Sequence, residues 1–289
     1  MSETFPAISW PEASPPGDDA GVTATAVAAF RRDGAVHLPQ ALDGETIATI
    51  AQAIATIVAD PGPTAGFADG PRRGFFQDAD NWRRVAALER VVRTSPAAAI
   101  AGALLGAHKV NFLHDHVLVK EPGTDKATPW HQDQPYSPVD GRDFLTMWIP
   151  VDPVPLERSL RFVAGSHRPG RWYRPRHFAS GTLREDDDAR WALLPDVEAE
   201  PQAHPVISWA VQPGDIVAFH GLTLHAAAGN LSADERRRVL SLRWTGDEAR
   251  FVRRSGRMSP PPPADDAPAE GGPLDCAAFP VVWRRDAGR

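Results

Sequence analysis

The chain has 289 residues, a formal net charge of −6 and one cysteine, Cys276. A sequence pI near 5.9 excludes a global basic footprint for nucleic acid, and a lone cysteine excludes an intramolecular disulfide and fits a reducing cytoplasm. The apolar runs are too short to span a bilayer, and Met1–Pro6 lacks a charged segment leading into an apolar core, so a cytoplasmic protein without membrane contact is expected.

Residues 1 to 20 combine proline, glycine and acidic residues and read as an irregular arm. Thr23 to Arg32 has helical spacing and leads into an extended Gly34–Pro39. Asp43 is placed to cap a helix whose apolar face is Ile47, Ile50, Ile54 and Ile57, ending before Pro61. Two further helices are predicted over 80–94 and 96–106, the second opening at Pro96 and stopping at Gly106. From residue 109 short β-rich runs alternate with Pro, Gly and Asp, which predicts a mostly β fold: a jelly-roll barrel with helices packed outside. Residues 259–273 read as a loop, and Phe279–Trp283 as a final edge strand.

The chemistry concentrates in Trp130-His131-Gln132-Asp133-Gln134-Pro135-Tyr136. A His and a carboxylate two residues apart project from the same face of a strand. A second His from a distant strand, His225, would complete three ligands on one face of a metal. That is the two-histidine, one-carboxylate set of non-haem Fe(II) oxygenases, which leaves positions open for an organic acid and O2. An isolated His-x-Asp is a common accident; the downstream context makes this one informative. After His225 a polar turn delivers Arg236-Arg237-Arg238 at the mouth of the next apolar strand, and a guanidinium there suits an anionic cosubstrate.

The chain resembles the phytanoyl-CoA dioxygenase family of Fe(II)/2-oxoglutarate oxygenases. The likeness rests on Asp115–Thr124, Thr128–Gln134, Leu145–Asp152, Leu160–His167, Pro213–His220 and the run from His225 to Trp244. Several ordered motifs matching together are far more specific than any one alone. The resemblance implies a double-stranded β-helix, a jelly-roll or cupin-like barrel, with flanking N-terminal α-helices. In that frame an arm over 1–20 precedes one oxygenase domain over 21–289. Its helical part covers about 21–107, its jelly-roll core about 108–251, and its loop and edge strand 252–289. It also implies His131, Asp133 and His225 as iron ligands, with Fe(II), 2-oxoglutarate and O2 as cofactor and cosubstrates. The expected reaction is hydroxylation of an unactivated C–H in a small molecule, with release of succinate and CO2, by a monomer or homodimer. A non-oxidative metal-binding cupin is the rival reading, and the arginine after the distal histidine argues against it.

Family spacing places the 2-oxoglutarate arginine at Arg236, whereas aligning the strand pattern gives Arg237. Arg237 is preferred, because it shares a strand face with Ser241 and Arg243, while Arg236 would share its face with Leu240, Leu242 and Trp244. The chain departs from the family at Ala226-Ala227, where Gly-Ser is usual, at Ala164, and at Glu157-Arg158-Ser159. The resemblance puts Trp148 near the cosubstrate, with core packing as the equal alternative, and Lys120 faces either the pocket or solvent. Phe75, Gln77, Gln134 and Arg243 are candidate substrate contacts. Phe75, Phe76 and Trp82 serve either as a lid or as an anchor between helix and barrel. Arg168, Arg171, Arg174 and Arg176 form a basic run near the presumed mouth, and His114, His116 and His167 read as structural.

Overall fold

The computed structural model describes residues 7–10, 21–69, 74–176, 182–184, 191–256 and 258–286. Of the expected N-terminal arm, only residues 7–10 fall among these; they carry no helix or strand.

Helix α1 (Ala24–Asp33) is capped by the Thr23 hydroxyl, which accepts from the Ala26 amide at 3.1 Å. It stops at Gly34, whose φ of 78° is the left-handed conformation that ends helices. Strand β1 (Ala35–Leu38) follows directly. Helix α2 (Gly44–Ala59) starts at Asp43, which accepts from the Thr46 amide at 2.7 Å, and buries Ile47, Ile50, Ile54 and Ile57 as its spacing predicts. Strands β2 (Gly66–Phe67) and β3 (Phe75–Ala79) precede α3 (Ala86–Thr94) and α4 (Ala97–Leu105), the latter bounded by Pro96 and Gly106.

The helix predicted over 80–94 is corrected: it begins only at Ala86. Asp80 has a φ of 60°, and the amides of Asn81 and Trp82 donate to the buried Asp115 carboxylate at 2.8 Å each. That tertiary partner captures the segment as a turn, which periodicity cannot anticipate. The segment 21–107, expected to be helical, also contributes β1, β2 and β3 to the main sheet.

The remaining strands are β4 (Lys109–Lys120), β5 (Thr128–His131), β6 (Val139–Asp140), β7 (Phe144–Pro150), β8 (Leu160–Val163), β9 (Val206–Ser208), β10 (Ile216–His220), β11 (His225–Ala227), β12 (Arg237–Thr245), β13 (Arg250–Phe251) and β14 (Val281–Arg284). An eight-stranded sheet runs β1-β10-β7-β12-β4-β3-β2, with β14 also pairing β4. A four-stranded sheet runs β5-β11-β8-β9. The final strand starts two residues later than predicted, leaving Phe279 buried in the preceding turn. Residues 259–273 hold no strand or helix, as expected.

Alternation along each strand decides the layers. In β7, Leu145, Met147 and Ile149 pack with the helices, and in β12 Leu240, Leu242 and Trp244 do the same. The opposite face carries Trp148, Val217, Phe219 and Val239 toward Leu160, Phe162 and Ala227 of the smaller sheet. The result is a two-sheet jelly roll with α1–α4 covering the outer face of the larger sheet. The inward positions of β4 and β12 therefore face the space between the sheets.

Candidate functional site

His131 ends β5, and His225 opens β11; the two are direct antiparallel partners. Cross-strand partners share a face, so the imidazoles stand side by side with ring centroids 4.1 Å apart. Asp133 does not lie on the same strand, contrary to the alternation argument. The strand stops at His131, and Asp133, with φ −77° and ψ −43°, leads into a 3-10 turn over Gln134–Tyr136. Gln132 secures the bend, donating to the Arg171 and Leu222 carbonyls at 2.9 and 2.8 Å and accepting from the Tyr173 amide at 2.9 Å.

The three side chains nevertheless converge. His131 Nε2 and His225 Nε2 lie 3.6 and 3.8 Å from Asp133 Oδ1, and the candidate ligand atoms all fall within 4.8 Å of one another. Each imidazole is oriented from behind: Nδ1 of His131 donates to the Pro129 carbonyl at 2.8 Å, and Nδ1 of His225 to the Thr223 carbonyl at 3.0 Å. In that tautomer Nε2 is the ring nitrogen able to ligate a metal, as such backbone partners arrange in metal sites. Burial and the nearby His131 push His225 down to about 3, so it is a neutral donor. Burial alone would raise the Asp133 carboxyl, but the Arg243 guanidinium, with His131 and His225 beside it, holds it well below the usual carboxylate range. Two imidazoles and one ionised carboxylate, with no fourth His, Cys, Asp or Glu joining the group among the described residues, fit an open iron site.

A cavity of about 490 Å³ opens over this group. Arg237, Val239, Ser241 and Arg243 of β12 line it, as do Leu118 and Lys120 of β4. Arg237 is buried and donates to the Arg158 carbonyl; burial and the Arg158 charge bring its guanidinium down to about 10. Lys120 is also buried, 4.4 Å from the Phe75 ring centroid, and donates to the Lys126 and Ala228 carbonyls at 2.7 and 2.9 Å. Burial, with Arg237 beside it, lowers its ammonium to about 6. Among the described residues neither side chain has a carboxylate partner within salt-bridge distance. An arginine and a lysine side by side on one cavity wall can donate to an organic acid.

Of the two arginines weighed, only Arg237 lines the cavity; Arg236 is exposed and donates to Glu121 Oε2 at 2.7 Å. Arg238 pairs with Asp152 on the outer side. Trp148 both lines the cavity and packs between the sheets. Phe75 and Gln77 line the cavity, while Phe76 and Trp82 pack with the helices, so strand alternation divides the lid-or-anchor question. This segment is a strand paired to β4 along its length.

Gln134, a candidate substrate contact, is fully buried outside the cavity lining, its amide donating to the Gly141 carbonyl at 2.7 Å. Arg243 does line the cavity, but its guanidinium is held by Asp133 and His114. Of the basic run, Arg176 reaches the cavity wall. His167 accepts no role here, being buried in the turn beside His220 with Nε2 3.2 Å from the Arg31 carbonyl.

Sequence reasoning missed Thr146, whose hydroxyl donates to Asp133 Oδ2 at 2.8 Å. The signal was present: Thr146 is two residues from Trp148 and shares its strand face. His114 and His116, read as structural, also line the cavity, both held neutral by burial first and Arg243 second.

Residues 30–239 match the phytanoyl-CoA dioxygenase family. A probable phytanoyl-CoA dioxygenase of Caenorhabditis elegans is 25% identical over 166 residues, 53% of this chain and 49% of the relative. The chain thus matches about half the length of that relative. The solved carbocyclase SnoK of nogalamycin biosynthesis, a non-haem alpha ketoglutarate dependent enzyme, is similar with a TM-score of 0.72 and 25% identity, over 93% of this chain and 100% of that one. The epimerase SnoN in complex with Fe3+, alpha ketoglutarate and nogalamycin RO is similar with a TM-score of 0.70 and 25% identity, over 90% and 98% of the two chains. Among the described residues no helix is long and apolar enough to cross a membrane. With the jelly roll, the two-histidine, one-carboxylate donor set and the family match in agreement, the chain belongs to the phytanoyl-CoA dioxygenase family, whose members work with Fe(II), 2-oxoglutarate and O2.

Proposed function

We propose that the protein is an Fe(II)- and 2-oxoglutarate-dependent oxygenase that hydroxylates an unactivated C–H of a small molecule. The observation that carries this reading is the meeting, in one cavity, of the His131–Asp133–His225 donors with the buried side chains of Arg237 and Lys120. A closed structural metal site has no use for a buried arginine and lysine beside it.

His131 and His225 would give neutral nitrogen donors and Asp133 a single negative charge, leaving the metal a net positive charge that attracts an anionic chelator. Arg237 would take the distal carboxylate of 2-oxoglutarate through two parallel hydrogen bonds. Lys120, already held by two carbonyls, adds a third donor to the same carboxylate. Iron bound here with 2-oxoglutarate and O2 supplies oxidative decarboxylation to succinate and CO2, with one oxygen atom passing to the substrate C–H. Phe75, Leu118 and Trp148 line the cavity with apolar surface, which excludes water from the reacting centre. Asp133 occupies the ligand position that related halogenases leave open for chloride, which favours hydroxylation.

The test is anaerobic addition of Fe(II) and 2-oxoglutarate to purified protein, where a weak visible charge-transfer band is expected. A metabolite screen by mass spectrometry should then reveal a gain of one oxygen coupled to succinate. A product lighter by two hydrogens, or unchanged in mass, with succinate formed, would assign desaturation, cyclisation or epimerisation instead. Absence of both the band and succinate would overturn the oxygenase reading.

A further inference from the structure

Three adjacent strands of the eight-stranded sheet place one residue each at the same level. Arg243 of β12 is the direct partner of Thr146 on β7 and of His114 on β4. Thr146 and Arg243 point toward Asp133, which approaches from the turn after β5, and His114 contacts Arg243. Thr146 Oγ1 donates to Asp133 Oδ2 at 2.8 Å, and Arg243 Nε donates to the same oxygen at 3.2 Å. Arg243 Nη2 lies 3.1 Å from Oδ1. The guanidinium is held in turn: Nη1 donates to His114 Nε2 at 3.2 Å, and His114 Nδ1 donates to the Asp115 carbonyl at 2.9 Å. His114 can accept because it is neutral.

We infer that this rung, Thr146–Arg243–His114, is a positioning clamp that keeps Asp133 to ligation through one oxygen. It rests on the reading of His131, Asp133 and His225 as metal ligands. The need is physical. Asp133 sits in a turn after its strand has ended, so no ladder fixes its side chain. A free carboxylate can chelate through both oxygens, occupying a position that 2-oxoglutarate or O2 requires. Two donors on Oδ2 remove that option and leave Oδ1 as the oxygen facing both imidazoles.

The experiment titrates Co(II) alone into the metal-free 289-residue chain, following the d–d absorption, and then adds 2-oxoglutarate. Thr146→Val and Arg243→Gln are each expected to weaken Co(II) binding roughly 10- to 100-fold, the usual effect of removing a partner that orients a metal ligand. Both should alter the d–d envelope and weaken 2-oxoglutarate binding to the Co(II) form. Thr146→Ser, which keeps the hydroxyl, should restore affinity and spectrum. Should Arg243→Gln fail to fold by circular dichroism, the near-isosteric Thr146 pair decides alone. If His131→Ala loses Co(II) while Thr146→Val and Arg243→Gln match the parent in affinity and spectrum, the clamp is wrong and the ligand reading stands. If Thr146→Ser behaves like Thr146→Val, the hydroxyl is not the operative donor and the clamp is likewise rejected. If His131→Ala binds Co(II) like the parent, the ligand reading falls and takes the clamp with it.

Discussion

The two walls of the cavity are built on different principles. The smaller sheet and the turn after it supply His131, Asp133 and His225, three side chains with no redundancy. The larger sheet supplies Arg237, Lys120, Trp148, Ser241 and Arg243 from three neighbouring strands, all inward by alternation. On the first wall, losing one side chain removes a third of the donors. On the second, neighbours at the same levels share the work, so losses there should be graded.

The proposed roles can be tested against that contrast, beginning with the largest effect. His131→Ala, Asp133→Ala and His225→Ala should each abolish succinate formation while circular dichroism and the thermal melt stay near the parent's. Full activity in any one of them removes that residue from the ligand set. Asp133→Gly should lose hydroxylation almost as completely, and chloride in the assay should yield at most a minor chlorinated product, because substrate placement must also suit that outcome. Hydroxylation at the parental rate would mean that Asp133 is not a ligand.

On the opposite wall, Arg237→Ala should weaken 2-oxoglutarate binding by about 2–5 kcal/mol, roughly 30- to several-thousand-fold, with metal affinity unchanged. Titration of 2-oxoglutarate into the Fe(II)-loaded variant checks both halves of that statement.

Lys120 gives a smaller, pH-dependent effect. Its ammonium is lowered to about 6 by burial and by Arg237, so at pH 7.5 the ligand-free protein holds it mostly neutral. A bound carboxylate favours the charged form, so 2-oxoglutarate should bind with proton uptake, and affinity should fall as pH rises above about 6. The same lowered value means the unfolded chain binds more protons between about 6 and the ordinary lysine value, so this group adds stability as pH rises through that range. Calorimetry in buffers of different ionisation heat measures the uptake, and Lys120→Met should abolish it. An unchanged uptake would assign the proton elsewhere.

The smallest effect is expected from Arg236→Ala, whose exposed pair with Glu121 contributes under about 1 kcal/mol. A large loss of 2-oxoglutarate affinity there, with Arg237→Ala binding normally, would invert the assignment.

Much of this was legible in one dimension. Asp43, Pro96 and Gly106 mark helix ends because capping is a contact between residues a few positions apart. Arg237 could be chosen over Arg236 because period 2 ties it to Ser241 and Arg243, and the face left for Arg236 carries Leu240, Leu242 and Trp244, which pack with the helices. The three donors could be named, since few residue types bind iron and their order matches a family.

Tertiary structure decided the rest. Helix α3 starts late because Asp115, far along the chain, takes the amides of Asn81 and Trp82. Asp133 reaches the site from a turn, not from a strand. Gln134 turns into the fold because its amide finds the Gly141 carbonyl. Thr146, Arg243 and His114 form one rung only because β7, β12 and β4 pair in one particular register. Caps and alternation are short-range and are written in neighbouring residues. Strand register is a choice among distant segments, made by the burial of whole faces, and it is register that sets which side chains meet at Asp133.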